Sequence, residues 1–254
     1  MTKSELDTLE TALIEYGAVV TFDQLSSLFD ENRQYCRKRI NKLTKQGWLK
    51  PIKKGVYVVS DLSTRGTLAI SHEAVVNILV EEAYISFENA LQHHGYYDQL
   101  LTNINAVSLK QYKSKTIDRI TYNFIKTQQR YYYGWDTHDI DGQMVKIAKI
   151  EKALIDLIQF HRKRYSTDLV MEKLLTFKNA ISHQRLIEYV LKANLTTQRI
   201  LGFLMDCADL DTSQLHDSVK NRQSVSSISN SKKRKYSHKW KLYYDQYFKK
   251  YTRE

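Results

Sequence analysis

Apolar residues recur at helical spacing through the first forty-five positions and then give way to a β-rich run. Leu6, Leu9, Leu13 and Tyr16 form one stripe, opened by a Ser4–Asp7 capping pattern and closed by Gly17. Thr21 and Gln24 repeat the capping pattern ahead of Leu25, Leu28 and Phe29, and Asn32 caps a third helix that runs to about Gln46. Trp48–Ile52, the turn Lys53-Lys54-Gly55 and Val56–Val59 read as a hairpin from turn chemistry and β propensity. Three helices followed by a two-stranded ribbon spell a winged helix-turn-helix over residues 1–61.

On the third helix, about 100° per residue puts Cys36, Ile40 and Leu43 on one face. Gln34, Lys38, Asn41 and Lys45 fall opposite, with Arg37 and Lys42 on the flanks. A recognition helix needs such an outer face, with long donors for phosphates and amides or cations for base edges. The pattern assigns Gln34, Lys38 and Asn41 to the groove. Arg33, Arg37, Lys42, Lys53 and Lys54 go to phosphates, and Tyr35 and Lys45 border the same surface. A solvated helix face is the bland alternative for the same charges.

After Asp61 the pattern changes. His72–Glu82 and Ser86-capped Phe87–His94 read as helices. Ile104–Leu109, Arg119–Ile125, Gln129–Tyr133 and Met144–Ile147 read as strands, with Asp141-Gly142 as a turn. A helix follows from Lys149 to about Phe160, with Ile150, Ala153, Leu154, Leu157 and Ile158 inward. Residues 62–165 are thus expected to form a mixed α+β domain, and 166–217 a helical subdomain. Five serines in Ser224–Ser231 mark 218–237 as a Ser-rich, basic linker. In 238–254 the positions Trp240, Tyr243, Tyr244, Tyr247, Phe248 and Tyr251 suggest an aromatic basic helix. The expected fold class is α+β.

Charge sharpens the picture. The 39 Lys+Arg against 28 Asp+Glu leave a net charge of +11, which favours a polyanionic partner. From Asn32 to Ser60 there are nine Lys or Arg and no acid, whereas Met1–Glu31 holds seven acids and one lysine. Solubility alone does not require that segregation; a field aimed at a polyanion does. A second basic patch is possible at Lys232, Lys233, Arg234 and Lys235. Either the aromatic tail docks on the body and leaves this run solvated, or the two together make another nucleic-acid contact. A membrane-surface helix fits less well, because Tyr and Trp stand where Leu and Phe are expected.

Several classes recede. No run of about 18 apolar residues exists to span a bilayer, and the first residues lack an apolar signal core, so a cytoplasmic protein is expected. Cys36 and Cys207 are too few for a disulfide framework or a cysteine zinc site. Glu151 and Asp156 are not one helical turn apart and Lys152 is expected to point a third way; Glu151 suits the helix start and Asp156 a structural hydrogen bond. His93-His94 before Gly95 suits a helix C-terminus, not a metal site. A metal-dependent nuclease needs an acid at the end of a strand reading Asp/Glu-x-Lys. The strand here ends Lys146-Ile147-Ala148-Lys149, with Asp136, Asp139 and Asp141 on a loop. No catalytic residue, metal or cofactor is therefore expected.

Three segments carry a family resemblance: Gly55-Val56-Tyr57, Ser86-Phe87-Glu88-Asn89-Ala90-Leu91-Gln92-His93-His94-Gly95, and Ala148-Lys149-Ile150-Glu151-Lys152-Ala153-Leu154-Ile155-Asp156. Over roughly residues 1–160 the chain resembles the AbiEi family, the antitoxin and transcriptional-regulator half of type IV toxin–antitoxin systems. One departure is Lys149-Ile150, where many relatives carry proline. The resemblance implies repression of its own operon through double-stranded DNA, often at inverted repeats. It also implies antagonism of a nucleotidyltransferase-like toxin without a stable complex, in phage defence. A ligand-responsive winged-helix transcription factor is the alternative reading.

Overall fold

The computed structural model describes residues 3–228 and 233–252. The chain opens with α1 (Lys3–Tyr16), β1 (Val19–Thr21), α2 (Phe22–Phe29), α3 (Arg33–Lys45), β2 (Leu49–Lys53) and β3 (Val56–Val59). Local chemistry sets these boundaries. Thr21 and Gln24 close a reciprocal capping box at α2, and Asp30 turns left-handed (φ 47°) to end it. The Asn32 side chain accepts from the Gln34 and Tyr35 amides, so α3 starts there. The strands form an antiparallel sheet in the order β1-β3-β2. Pro51, which has no amide hydrogen to donate, sits on an edge strand. Leu9, Ala12, Leu25, Phe29, Cys36, Ile40, Leu43, Trp48 and Val59 share one buried core.

The chain continues through α4 (His72–Leu79), β4 (Tyr84–Ile85), α5 (Phe87–His93), β5 (Asn103–Ser108), β6 (Lys115–Ile117) and β7 (Ile120–Lys126). A 3₁₀ turn at Gln129–Tyr131 precedes β8 (Trp135–Ile140) and β9 (Gln143–Ala148). Strands β4 to β9 form a sheet in the order β6-β7-β5-β4-β9-β8. Two tight hairpins punctuate it. Asp118-Arg119 (φ 47° and 70°) and Asp141-Gly142 (φ 52° and 71°) both supply the positive φ pairs that match strand twist.

Then follow α6 (Ile150–Phe160), α7 (Arg164–Thr176), α8 (His183–Lys192), α9 (Leu195–Cys207), α10 (Ser213–Val219), β10 (Ser226–Ser227), β11 (Arg234–Ser237) and β12 (Leu242–Asp245). A 3₁₀ turn at Gln246–Tyr251 ends the described chain. Two compact units result: Met1–Tyr84 with Thr102–Ile125 and Thr137–Lys146, and Ile85–Leu101 with Lys126–Asp136 and Ile147–Glu254. The fold is mixed α+β.

In the second unit α6 is buried from Glu151 to Ile158, charged residues included, and packs against α5, α7, α8 and α9. A helix enclosed on all sides normally carries only apolar residues. Here each buried charge has a partner. Lys152, fully buried, pairs with the Asp156 carboxylate one turn on, and its ammonium lies 4.7 Å over the Tyr133 ring. Asp156 also accepts from the Ser86 hydroxyl at 2.7 Å. Glu151 accepts from the Ser182 amide at 2.8 Å and from Arg185 at 3.4 Å.

Several expectations are corrected. Gln129–Tyr133 is not a strand but a 3₁₀ turn and its exit; the strand begins at Trp135, so Asp136 and Asp139 lie on β8 rather than on a loop. Ser86 does not cap α5 with its side chain, because its hydroxyl is spent on Asp156. Glu151 and Lys152 are interior. The expected helix at 238–254 is instead β12 and a 3₁₀ turn. Trp240, Leu242 and Tyr244 are buried in alternation with Lys241 and Tyr243, the two-residue period of a strand in an aromatic-rich segment. Nor is 218–237 a free linker: Val219 belongs to α10, Ser226-Ser227 pairs with β12, and Arg234–Ser237 is β11. Buried Arg199 anchors this stretch by donating to the Arg222 and Ser224 carbonyls and the Ser226 hydroxyl. The expected boundaries at 61/62 and 165/166 also differ from the compact units, since 62–84 stays with the N-terminal segment and α6 joins the later helices.

Candidate nucleic-acid interface

Burial of Cys36, Ile40 and Leu43, each at most 1% exposed, fixes the rotation of α3. The opposite face is therefore outward: Gln34, Lys38, Asn41 and Lys45 are all exposed. Tyr35 is 58% exposed, with the Lys38 ammonium 5.4 Å from its ring centroid. The β2–β3 turn carries Lys53 and Lys54, both exposed, and Gly55 at φ 74° lets the turn close. Arg33, Arg37 and Asn41 of α3 border one cleft together with Lys54, Gly55 and Tyr57 of the hairpin. Helix and hairpin tip thus share a concave basic surface.

Not every cation on it is equally available. Arg33 lies 3.4 Å from the Asp23 carboxylate and 4.9 Å over the Phe22 ring. Lys42 donates to Glu5 at 2.9 Å, and Glu5 is only 3% exposed, so the charge of Lys42 is matched inside the first unit. Arg39 faces away, 3.2 Å from Glu31 and over the Phe29 ring. Among the described residues, Arg37, Lys38, Lys45, Lys53 and Lys54 carry no ion pair. These five concentrate uncompensated charge on the outer face of α3 and the hairpin tip.

The pattern of the sequence missed two parts of this surface. Strand β1 is three residues long, too short for periodicity, yet it aligns Thr21 with Val56 and sets Phe22 beside the cleft. Tyr57 lines the cleft half-buried; the only signal for it was its place directly after Gly55-Val56.

Three of the four residues of the other predicted basic patch lie within the described chain. Lys232 lies outside the described residues. Arg234 stacks 5.1 Å over the Tyr243 ring, and Lys233 and Lys235 are exposed beside it. The aromatic tail itself docks on α9: a Cβ built on Gly202 would meet the Trp240 ring at 2.3 Å, and the Trp240 indole donates to Asp206 at 2.7 Å.

Two of the three acids considered for metal chemistry, Asp136 and Asp141, have structural partners. Asp136 accepts from the Lys149 ammonium, and Asp141 from the Ser71 amide at 2.6 Å. His94 donates to the Ala148 carbonyl at 2.9 Å. Among the described residues, no three His, Cys, Asp or Glu side chains converge as a metal-binding group, and no helix is long and apolar enough to cross a membrane.

No described protein family matches the chain, and no curated protein matches it either. Three chains of solved structures do. One is the Rv2827c protein of Mycobacterium tuberculosis, known from a crystal structure. It is similar with a TM-score of 0.67 at 14% identity, over 96% of this chain and 92% of that one. At that identity the likeness concerns the fold.

Proposed function

We propose that this chain is a DNA-binding transcriptional autorepressor and the antitoxin of a type IV toxin–antitoxin system. Residues 1–61 act as a winged helix-turn-helix, with α3 as recognition helix and β2–β3 as wing. One observation supports this reading above the rest: Arg37 and Asn41 of α3 meet Lys54 of the hairpin around one cleft whose single acid, Asp23, is paired with Arg33, and the stretch from Asn32 to Ser60 contains no acid.

In the major groove, Gln34 and Asn41 offer paired donors and acceptors to base edges, and Lys38 offers a donor to guanine. Arg37, Lys45, Lys53 and Lys54 neutralise phosphates on either side, which sets register without reading sequence. Two copies on an inverted repeat would occupy both halves of an operator. The antitoxin role draws on the Ser86–Gly95 and Ala148–Asp156 segments and would be exerted on a nucleotidyltransferase-like toxin in the cytoplasm.

The test is a mobility shift on the DNA upstream of the chain's own gene at low salt, with Arg37→Glu/Lys54→Glu as the variant. A shift abolished by the variant supports the proposal, and absence of any shift rejects it. Co-expression with a nucleotidyltransferase encoded next to this gene examines the second half. Growth restored by the chain supports the antitoxin role; continued arrest removes it.

A further inference from the structure

The surplus of positive charge does not reside where the α3 cleft is. The first unit holds 16 Lys+Arg against 14 Asp+Glu, whereas the second holds 23 against 14. Nearly all the net charge therefore belongs to a unit that the DNA-binding proposal leaves without a ligand.

Within that unit two concavities meet at Tyr131 and Asn194 and form one groove. Its cations come from separate stretches of chain: Lys126 and Arg130 before β8, Lys192 at the end of α8, and Arg222 after α10. No Asp or Glu lines either concavity. A neighbouring concavity beside Tyr97 and Tyr165 instead carries Asp98, Asp168 and Glu172, so the basic character is local. Among the described residues, Lys126, Arg130 and Arg222 have no carboxylate partner, while Lys192 shares its charge with Glu188 at 2.8 Å. Lys241 braces the backbone at Arg222 by donating to the Lys220 and Arg222 carbonyls.

An aromatic element completes the groove. The Arg130 guanidinium lies 4.6 Å from the Tyr131 ring centroid, a stacked pair where the two concavities join, and Phe160 lines the wall beyond. Stacked Arg–Tyr surfaces accept the flat face of any unpaired base, while cations along a groove follow the phosphates. A duplex hides its base faces and gains nothing from such a platform.

We propose that this groove binds a single-stranded nucleic acid segment, with the Arg130–Tyr131 pair stacking on a base and Lys126, Lys192 and Arg222 contacting the backbone. Unpaired RNA and unpaired DNA share that chemistry. The site is distinct from the α3 cleft and does not depend on the function proposed for it.

Fluorescence anisotropy of the full chain at low salt, with labelled oligo-U, oligo-dT and a mixed-sequence duplex of about fifteen nucleotides, tests the proposal. Arg130→Glu/Arg222→Glu alters two exposed side chains, and circular dichroism confirms that the fold persists. Single-strand affinity is expected to fall roughly tenfold or more in this variant and roughly fivefold in Tyr131→Ala. It should stay within about twofold in Lys38→Glu/Lys54→Glu, whose defect belongs to duplex binding. Preference for oligo-U or oligo-dT identifies RNA or DNA as the source. Failure of wild type to bind either oligonucleotide overturns the assignment. So does single-strand binding that survives the Arg130/Arg222 change, or a duplex bound as tightly and lost in the same variant.

Discussion

Lys42 of α3 reaches back to Glu5 of α1 and donates to its carboxylate at 2.9 Å, while Lys38, one turn earlier on the same helix, meets no acid. Two lysines four residues apart therefore have different duties. Lys42 satisfies a carboxylate that is almost wholly buried, whereas Lys38 projects a bare charge. Lys42→Ala should destabilise the first unit by about 1–3 kcal/mol, the cost of leaving a buried carboxylate short of a partner. It should alter DNA affinity little. Lys38→Ala should leave the melting temperature unchanged and lower duplex affinity. As the donor to a guanine edge, Lys38 should also account for about 1–3 kcal/mol of discrimination at one base pair. Thermal melts and duplex titrations on the two variants separate these outcomes, and an identical profile for both would remove the distinction.

The aromatic tail is locked by a close approach. Gly202 on α9 makes room for the six-membered ring of Trp240, which lies 2.3 Å from where a Cβ would stand. Gly202→Ala must displace the indole and break its hydrogen bond to Asp206. Overpacking of this kind costs about 1–3 kcal/mol. Trp240→Ala should cost more, about 3–5 kcal/mol, because it empties a buried site. The double variant should be no worse than Trp240→Ala alone, since the clash disappears with the ring. Additive losses in urea melts would contradict this packing.

These relationships show where the chain was readable and where it was not. The α3 face was legible because Cys36, Ile40 and Leu43 repeat with one period and the caps at Thr21 and Asn32 are local. The caps were found as expected, and so were the hairpin at Lys53–Gly55 and the turn at Asp141-Gly142. The tail misled because Trp240, Tyr243, Tyr244, Tyr247 and Phe248 satisfy helical spacing by accident. The burial of Trp240, Leu242 and Tyr244 follows a period of two, and Leu242 and Tyr244 are held in that period by strand pairing with β10 and β11. The pairing of Lys42 with Glu5 spans 37 positions, which no local pattern announces. The interior position of Lys152 was equally hidden. Its partner Asp156 is near, but the enclosing surfaces come from other helices. The groove at Arg130 joins three distant stretches and had no signature beyond overall charge.

The Lys152–Asp156 pair provides a third prediction. Both side chains are fully buried, and they form an ion pair with each other one helical turn apart. Asp156→Asn or Lys152→Ala should cost about 3–5 kcal/mol, because the remaining buried charge loses its ion-pair partner. The double replacement Lys152→Met/Asp156→Leu should recover most of that loss, although Ser86 then loses its acceptor. Chemical denaturation of the three variants decides the matter. A double variant less stable than either single one would mean that the pair is worth more than its desolvation.

The last prediction concerns pH. The His72 Nδ1 lies 2.6 Å from the Tyr122 hydroxyl, and burial pushes the imidazole below its ordinary value of 6.5, against a weaker opposing pull from Asp118. A histidine whose folded value is depressed holds fewer protons than the unfolded chain does. Its contribution to stability is therefore complete above about pH 6.5 and is lost as the pH falls towards the depressed folded value. His161, stacked 4.5 Å from Phe87, is lowered by burial too and adds a loss of the same sign in the second unit. The melting temperature should fall between neutral pH and pH 5 more steeply in wild type than in His72→Gln, which cannot be protonated. Tyr122→Phe should leave the acid loss in place, because burial rather than the phenol is the main cause of the shift. An acid-side slope unchanged by His72→Gln would assign the loss to carboxylates instead.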